Sequence, residues 1–446
     1  MRLKQNSFPV FFIIFFMLIL NLSLYASAVK PIELIYSNGL TVMYYKIKGL
    51  SYSKIIVKIN SGDSNYKSVY GGITNITVDS MFKGCKNYSE ETIKKKILSN
   101  GVLIEKKIFP EGVIIRFSLP TENITSFLKA LTSCLSSSNM YFKAIDEEKR
   151  MFINNLTLDK ERIIPLLKEN LGFFLFGKKH PYGKMISFQG ILNLSAKKVK
   201  EFYKTYIVPS NVELVVLSSL SKEKIKGAIT ISGWKRKPVF RLTIPSKVKK
   251  MDNVFIKIKG KGKAYIMLSG ILPGYFKVDR YKLDFFSHLI GGYFGSRANI
   301  FFSEKGIAPP IVYSQTLSEF SMFSLVFEIP KDETSRTINF INKFILKTGK
   351  DFPTGVEMKD GITSFIGKKF LQWQKLDQYY LDYLYYYKNR TLRPFNLKNV
   401  LLKIKREEIS NLYKIFKKNS VFIVAGDDSV QKQLKGFYRV YSIDDF

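Results

Sequence analysis

The sequence predicts an α+β protein built from two tandem domains of one kind, each a mostly antiparallel sheet covered by helices on one face. Three observations lead there. The chain has 446 residues, enough for two to four domains at roughly 100–200 residues each. Strand-like and helix-like segments follow one another in both halves, on either side of a polar, basic stretch. The ends of the two halves rhyme: Tyr206-x-x-Pro209-x-Asn211 leads into VELVVL, and Phe416-Lys-Lys-Asn-Ser leads into VFIVAGDD. Such a rhyme points to duplication of one unit.

The elements can be justified in order. Ile32 to Lys46 alternates around Asn38-Gly39, a hairpin with a type I′ turn signal. Ser53 to Asn60 is a strand, closed by Ser61-Gly62-Asp63. Gly71-Gly72 opens an apolar-periodic segment that closes at Gly84, and Ser89-Glu90-Glu91 caps a helix through Leu98. Val102 to Leu119 reads as two strands around Pro110-Glu111-Gly112. Ile124 to Leu135 and Tyr141 to Leu156 are amphipathic helices. A helix from Leu194-Ser195 to Tyr206 and a buried strand, Val212 to Leu217, close the first half. Ser221 to Lys250 reads as the linker. The second half offers a strand over Lys263–Gly270, a helix over Lys282–Gly291, strands to Ile329 and a helix over Glu333–Leu346. It ends in a helix over Lys405–Lys418 and a strand over Val421–Ala425. The boundaries expected are 1–28, 29–235 and 236–446.

Residues 1–28 carry the layout of a secretory signal peptide. Arg2 and Lys4 form a positive start, Val10 to Leu20 an apolar run, and Ala26-Ser27-Ala28 a small-x-small cleavage site. The apolar run is short for a membrane span, which needs about twenty residues. An exported product, periplasmic or extracellular and cleaved after Ala28, is expected. Apolar residues make up 46% and charged residues 24%, an ordinary folded balance that excludes disorder and collagen. The formal charge is +35, which by itself suggests a polyanion partner. Export makes nucleic acid an improbable one, leaving a loose attraction to an anionic membrane. The excess of Lys over Arg, with abundant Ile, Asn, Tyr and Phe, fits AT-rich coding, which is the favoured reading of the charge.

Several segments together resemble the insulinase/pitrilysin metallopeptidase family, and in particular its two-domain, processing-peptidase-like members. Asn38-Gly39-Leu40-Thr41-Val42 matches the opening NGL-x-V. Gly72 to Gly84 (GITNITVDSMFKG) matches the signature GLAHFLEHMLFKG with its Phe82-Lys83-Gly84 end intact. His180-Pro181-Tyr182-Gly183, Gly190, Leu194-Ser195, Phe202-Tyr203, Tyr206 and Pro209-x-Asn211 follow a second block. Gly291-Gly292-x-x-x-Ser296-Arg297 and Glu304-Lys305-Gly306-Ile307-Ala308 are similar to LGGG-x-SRL and REKRGLAY. The resemblance implies the LuxS/processing-peptidase-like fold.

It also implies where the chemistry would lie. The family's inverted motif H-x-x-E-H binds zinc through two His on one helical face, and its Glu activates the bound water. Here the first His falls at Asn75, the Glu at Val78 and the second His at Asp79. A distal Glu ligand falls at Asn154 or Asn155, according to register. A carboxamide is a poor zinc ligand, and Val78 cannot accept a proton. The family's substrate-binding Arg and Tyr fall at Ser303 and Pro309. No catalytic residue, no metal ligand and no cofactor are therefore expected.

The remaining candidates read as structural. His180 is expected in a loop and His288 in a hydrogen-bonded core position. Cys85 and Cys134 are expected as two buried free thiols, with a disulfide the less favoured reading. Tyr379 to Tyr387 reads as helical core aromatics, and Lys257, Lys259, Lys261 and Lys263 as alternation along a solvated edge strand.

The function expected is that of an inactive peptidase homologue: a non-catalytic partner of an active zinc subunit, or a peptide-binding scaffold. A homodimer would also satisfy the geometry. A two-domain half should leave the inner faces of its sheets open for that partner. Two alternatives are a zinc endopeptidase with an unorthodox site and a structural protein at an anionic membrane surface.

Overall fold

The computed structural model describes residues 31–446 apart from 240–242, 250, 261, 376–377, 379–396, 435 and 437–438, together with the side chains of 159–161. Residues 1–28 and Tyr379 to Tyr387 thus lie outside the described residues. The first domain holds strands β1 (Ile32–Ile35), β2 (Thr41–Lys46), β3 (Tyr52–Ile59), β4 (Leu103–Phe109), β5 (Gly112–Pro120) and β6 (Val212–Ser218). Its helices are α1 (Ile73–Ser80), α2 (Glu90–Ser99), α3 (Ile124–Ser137), α4 (Phe142–Glu161), α5 (Ile163–Glu169), α6 (Leu171–Phe176), α7 (Phe188–Leu192), α8 (Ala196–Tyr206) and α9 (Lys222–Ala228).

The β1–β2 hairpin turns at Asn38-Gly39 but not as the expected type I′, since Asn38 does not take the positive φ that type needs. Gly39 takes φ +87, and the Asn38 carboxamide oxygen accepts the Leu40 N–H. The sheet order is β1-β2-β6-β3-β5-β4. Only β2 and β6 pair in parallel; the other neighbours are antiparallel. β3 and β6 are central, and their middles, Ile55–Val57 and Leu214–Leu217, are apolar runs because both faces are covered there. One face packs Val42, Ile55, Val57 and Val216 against Ile76, Leu128 and Phe202 from the helices.

The second domain repeats the plan. It holds β7 (Val254–Lys257), β8 (Lys263–Pro273), β9 (Ile311–Thr316), β10 (Phe320–Pro330), β11 (Val421–Gly426) and β12 (Arg439–Ser442). Its helices are α10 (Arg280–Gly291), α11 (Arg297–Ser303), α12 (Thr334–Asp351), α13 (Gly355–Trp373), α14 (Leu397–Leu402), α15 (Arg406–Asn419) and α16 (Asp428–Lys432). The sheet order is β12-β7-β11-β8-β10-β9. Strands β7, β11, β8, β10 and β9 stand where β2, β6, β3, β5 and β4 stand in the first sheet. The outer strand differs: β12 comes from the far end of the chain and runs parallel to β7. Both sheets are therefore mixed, with antiparallel pairs in the majority.

Four further expectations need correction. The inner faces are not open. On the first sheet Met43, Tyr45, Ile56, Ile114, Val215 and Leu217 form a second buried cluster. On the second sheet the far face is covered by α5 and α6, whose Leu167, Phe173 and Phe174 pack on Val254, Met267 and Ile423. The linker begins later than Ser221, because Ser221 caps α9 and Trp234 is buried in the first core. Lys257 and Lys263 do not share a strand: one ends β7 and the other begins β8, and β7 is an interior strand. Cys85 and Cys134 are joined in a disulfide rather than left as thiols. Both lie in a small buried cluster with Ile93, where α2 meets α3.

Candidate functional site

The site is built on α1. Its cap residue, Gly72, has φ +95 and no side chain to offer the helix. A Cβ there would come within 2.3 Å of the Ile191 side chain, so glycine is required twice over. Asp63, from the turn after β3, supplies the missing cap. Its carboxylate accepts the Gly72 N–H at 2.6 Å, the Thr74 N–H at 2.9 Å and the Thr74 hydroxyl at 2.5 Å. Along the helix Ile73, Ile76 and Val78 enter the core, and Asn75 and Asp79, one turn apart, stay partly exposed on the other side.

Asn75 and Asp79 face β4 and α4. They share a cavity of about 270 Å³ with Lys106, Asn155, Arg162 and Glu169. A second cavity of about 280 Å³ takes in Asn75, Lys106, Asp63 and Lys184, with Tyr313 and Gln315 from the second domain. The site thus lies at the seam between the domains. Asn155 is in the wall, while Asn154 lies about 100° further round the helix.

At the centre the Lys106 ammonium lies 2.5 Å from both carboxylate oxygens of Asp79. A lysine donates three N–H bonds and accepts none. The groups around it are two neutral carboxamides, Asn75 and Asn155, the Asp79 carboxylate already held by a cation, and Glu169 on the cavity wall with Arg162. That set does not fit zinc, which takes thiolate, imidazole or carboxylate. Among the described residues, no group of three His, Cys, Asp or Glu side chains comes together as a metal site would need. Val78 is buried at 1% exposure and walls a cavity of about 390 Å³ with Phe82, Ile93, Phe117 and Phe127. Val78 itself offers no proton acceptor, and the two carboxylates on the same wall, Asp79 and Glu148, are paired with Lys106 and Lys83.

The second-domain positions lie elsewhere. Ser303 ends α11, and Pro309 sits in the following loop; both are exposed, and neither lines the cavity that holds Asn75 and Asp79. Arg297 is a clamp: its guanidinium donates twice to Glu357 at 2.6 Å and once to Asp351 at 2.6 Å. The His180–Gly183 block works at the seam. Tyr182 donates its hydroxyl to Glu111, and the Ser318 N–H donates to the same carboxylate at 2.9 Å. His180 stacks on Phe176 with ring centres 4.6 Å apart. Burial, with Lys184 nearby, holds its imidazole down at about 4. Asp63, Lys106 and Glu111 carry no motif. The only signal for Asp63 was the Ser61-Gly62-Asp63 turn that ends β3.

Comparison with known proteins bears on the fold. Residues 193–361 match the family described as Peptidase M16 inactive domain. No curated protein matches the chain. A protease from Helicobacter pylori superposes with a TM-score of 0.78 at 16% identity, over 89% of this chain and 99% of that one. The peptidase M16 inactive domain from Pseudomonas fluorescens gives 0.74 at 15%, over 89% and 98%. The periplasmic protease PqqL from Escherichia coli gives 0.68 at 14%, over 90% of this chain and 46% of that one.

Proposed function

We propose that this member of the insulinase (M16) peptidase family, matched to it through residues 193–361, is a non-catalytic subunit that pairs with an active homologue and helps hold its peptide substrate. The observation that carries this reading is Lys106 seated on Asp79, where the family's zinc would lie. A cation there repels a metal, and Val78 offers no base. Around this exchange the frame is kept: the Asn38-Gly39 hairpin, the Gly72 cap and the seam at Tyr182 all serve folding. Loss of chemistry with retention of shape suits a chain whose surface is still used.

The pairing no longer rests on an open inner sheet face, since both are covered. It rests on the site's position at the seam and on exposed apolar residues beside it: Leu103 and Ile104 on edge strand β4, and Met151 on α4. The structural likeness of this chain to about half of PqqL fits a two-domain half that works with a second half. Export is part of the proposal, supported by the signal-like residues 1–28 and by PqqL being a periplasmic protease. Co-expression with a homologue that retains H-x-x-E-H, followed by size-exclusion chromatography and a peptidase assay, tests the reading. Co-elution with a change in the homologue's activity is expected. Separate elution with unchanged activity overturns the partner role.

A further inference from the structure

The duplication places one corner of the fold twice. In the first domain α1, edge strand β4 and α4 enclose the degenerate zinc positions. In the second, α10, edge strand β9 and α13 enclose a cavity of about 350 Å³, within the roughly 300–1,000 Å³ range of small-molecule sites. Its wall is assembled at helical spacing. Asp284, Ser287, His288 and Gly291 come from α10, and Phe365, Lys368, Lys369 and Gln372 from α13. Each set follows the i, i+3, i+4, i+7 pattern, so one face of each helix points inward.

The lining is basic and includes an unmet hydrogen-bonding group. Lys368 and Lys369 bring two positive charges against the single carboxylate of Asp284, which lies 3.8 Å from the Lys369 ammonium. His288 is 2% exposed. Its Nε2 lies 3.1 Å from the Ser364 hydroxyl, and its Nδ1 has no hydrogen-bond partner among the described residues. Burial, with Lys368 second, holds the imidazole at about 3, so it is neutral at ordinary pH. If Ser364 donates to Nε2, the proton sits on Nδ1 and can be donated. Gly292 also lines the cavity, and a Cβ there would stand 3.0 Å from Nδ1. A buried donor left unmet is costly, and a ligand acceptor would satisfy it.

We propose that this cavity is an oxyanion site, in which Lys368 and Lys369 supply charge and His288 Nδ1–H donates to a carboxylate or phosphate group at the end of a small molecule or peptide. The inference is independent of the partner role. The test uses the purified chain and three probes: inorganic phosphate, a short peptide with a free C-terminal carboxylate, and the same peptide amidated. The chain has only two histidines, so imidazole ¹⁵N spectra resolve His288 from His180. Phosphate or the free-acid peptide should shift the His288 Nδ1 signal, with the amide at least about tenfold weaker. A response to phosphate alone supports the site and names phosphate as the source; a response to the free acid alone names a carboxylate. Lys368→Glu, at an exposed position that leaves the fold intact by circular dichroism, should weaken binding at least tenfold, and Lys368→Arg should retain it. No shift with any probe, equal binding of acid and amide without phosphate binding, or unchanged affinity in Lys368→Glu overturns the assignment.

Discussion

The ammonium of Lys106 sits 2.5 Å from each carboxylate oxygen of Asp79, bridging β4 to α1 at the residue that the sequence resemblance aligns with a zinc ligand. Two changes therefore separate this chain from a zinc site: the ligands are missing, and a cation stands in their place. Restoring Asn75→His, Asp79→His and Asn155→Glu while keeping Lys106 should give weak zinc binding. Adding Lys106→Met should raise the affinity at least about tenfold, because a +1 charge within about 4 Å of the ion is removed. Zinc titration calorimetry on the two variants checks this. Equal affinities would mean that the lysine swings aside and plays no excluding role.

The alternation of apolar residues made most strands legible, and the Gly and Ser punctuation made most helix starts legible. The covering of the sheets was not. Leu171–Phe176 is a short all-apolar run with no period to place it, and only the assembled fold shows it lying on the second sheet as α6. Asp79 was legible as the only carboxylate on its helical face, beside the neutral Asn75. Its partner lies 27 residues away on a strand whose lysines look like an ordinary solvated edge. Asp63 capping a helix across 11 residues is invisible to any rule that looks for a cap beside its helix. The disulfide depended on bringing α3 against the Gly84 turn, which spacing alone does not give.

The disulfide joins residues 49 apart in sequence. Closing such a loop constrains the unfolded chain, an effect typically worth about 2–4 kcal/mol. Replacing Cys85 and Cys134 by Ala together should lower stability by about that amount in urea melts. The same protein in reductant should fall to match the variant. A loss below about 0.5 kcal/mol would show that packing with Ile93, not the bond, holds the Gly84 turn to α3.

Both histidines make the fold sensitive to acid before its carboxylates do. His180 is held at about 4 and His288 at about 3, against an ordinary 6.5, chiefly by burial. A depressed imidazole is neutral when folded and takes a proton when unfolded. Stability should therefore fall as pH drops below about 6.5 and continue to fall until the folded values are reached. Each histidine contributes a slope of at most about 1.4 kcal/mol per pH unit. Asp279, held above the usual carboxylate range by burial, works in the opposite direction. Denaturant melts between pH 7 and 5, where ordinary carboxylates stay ionised, isolate the effect. His180→Gln should halve the slope. An unchanged slope would place the acid sensitivity elsewhere.

Glu111 ties the two domains. It sits in the β4–β5 turn, accepts the Tyr182 hydroxyl from the first domain, and accepts both the N–H and the hydroxyl of Ser318 from the β9–β10 turn of the second. Hydrogen bonds to a charged group are worth about 1.5–3 kcal/mol each when one partner is lost. Around them Phe176, His180 and Tyr182 close on Phe320, with Phe176 and Phe320 ring centres 5.7 Å apart. Glu111→Ala leaves Tyr182 and Ser318 short of an acceptor at a largely buried seam, so a loss of about 2–3 kcal/mol is expected. Calorimetry should show the melting transition broaden or split, because the carboxylate is one of the contacts through which the domains unfold together. Glu105→Ala is the control. Its pair with Arg116 is solvent-exposed at 3.4 Å, and such pairs contribute about 0–1 kcal/mol. The double variant of Glu111→Ala and Ser318→Ala should be less destabilised than the sum of the singles, as neighbours sharing one network are. Additive losses and a single sharp transition in Glu111→Ala would mean that the aromatic cluster, rather than the carboxylate, joins the two halves.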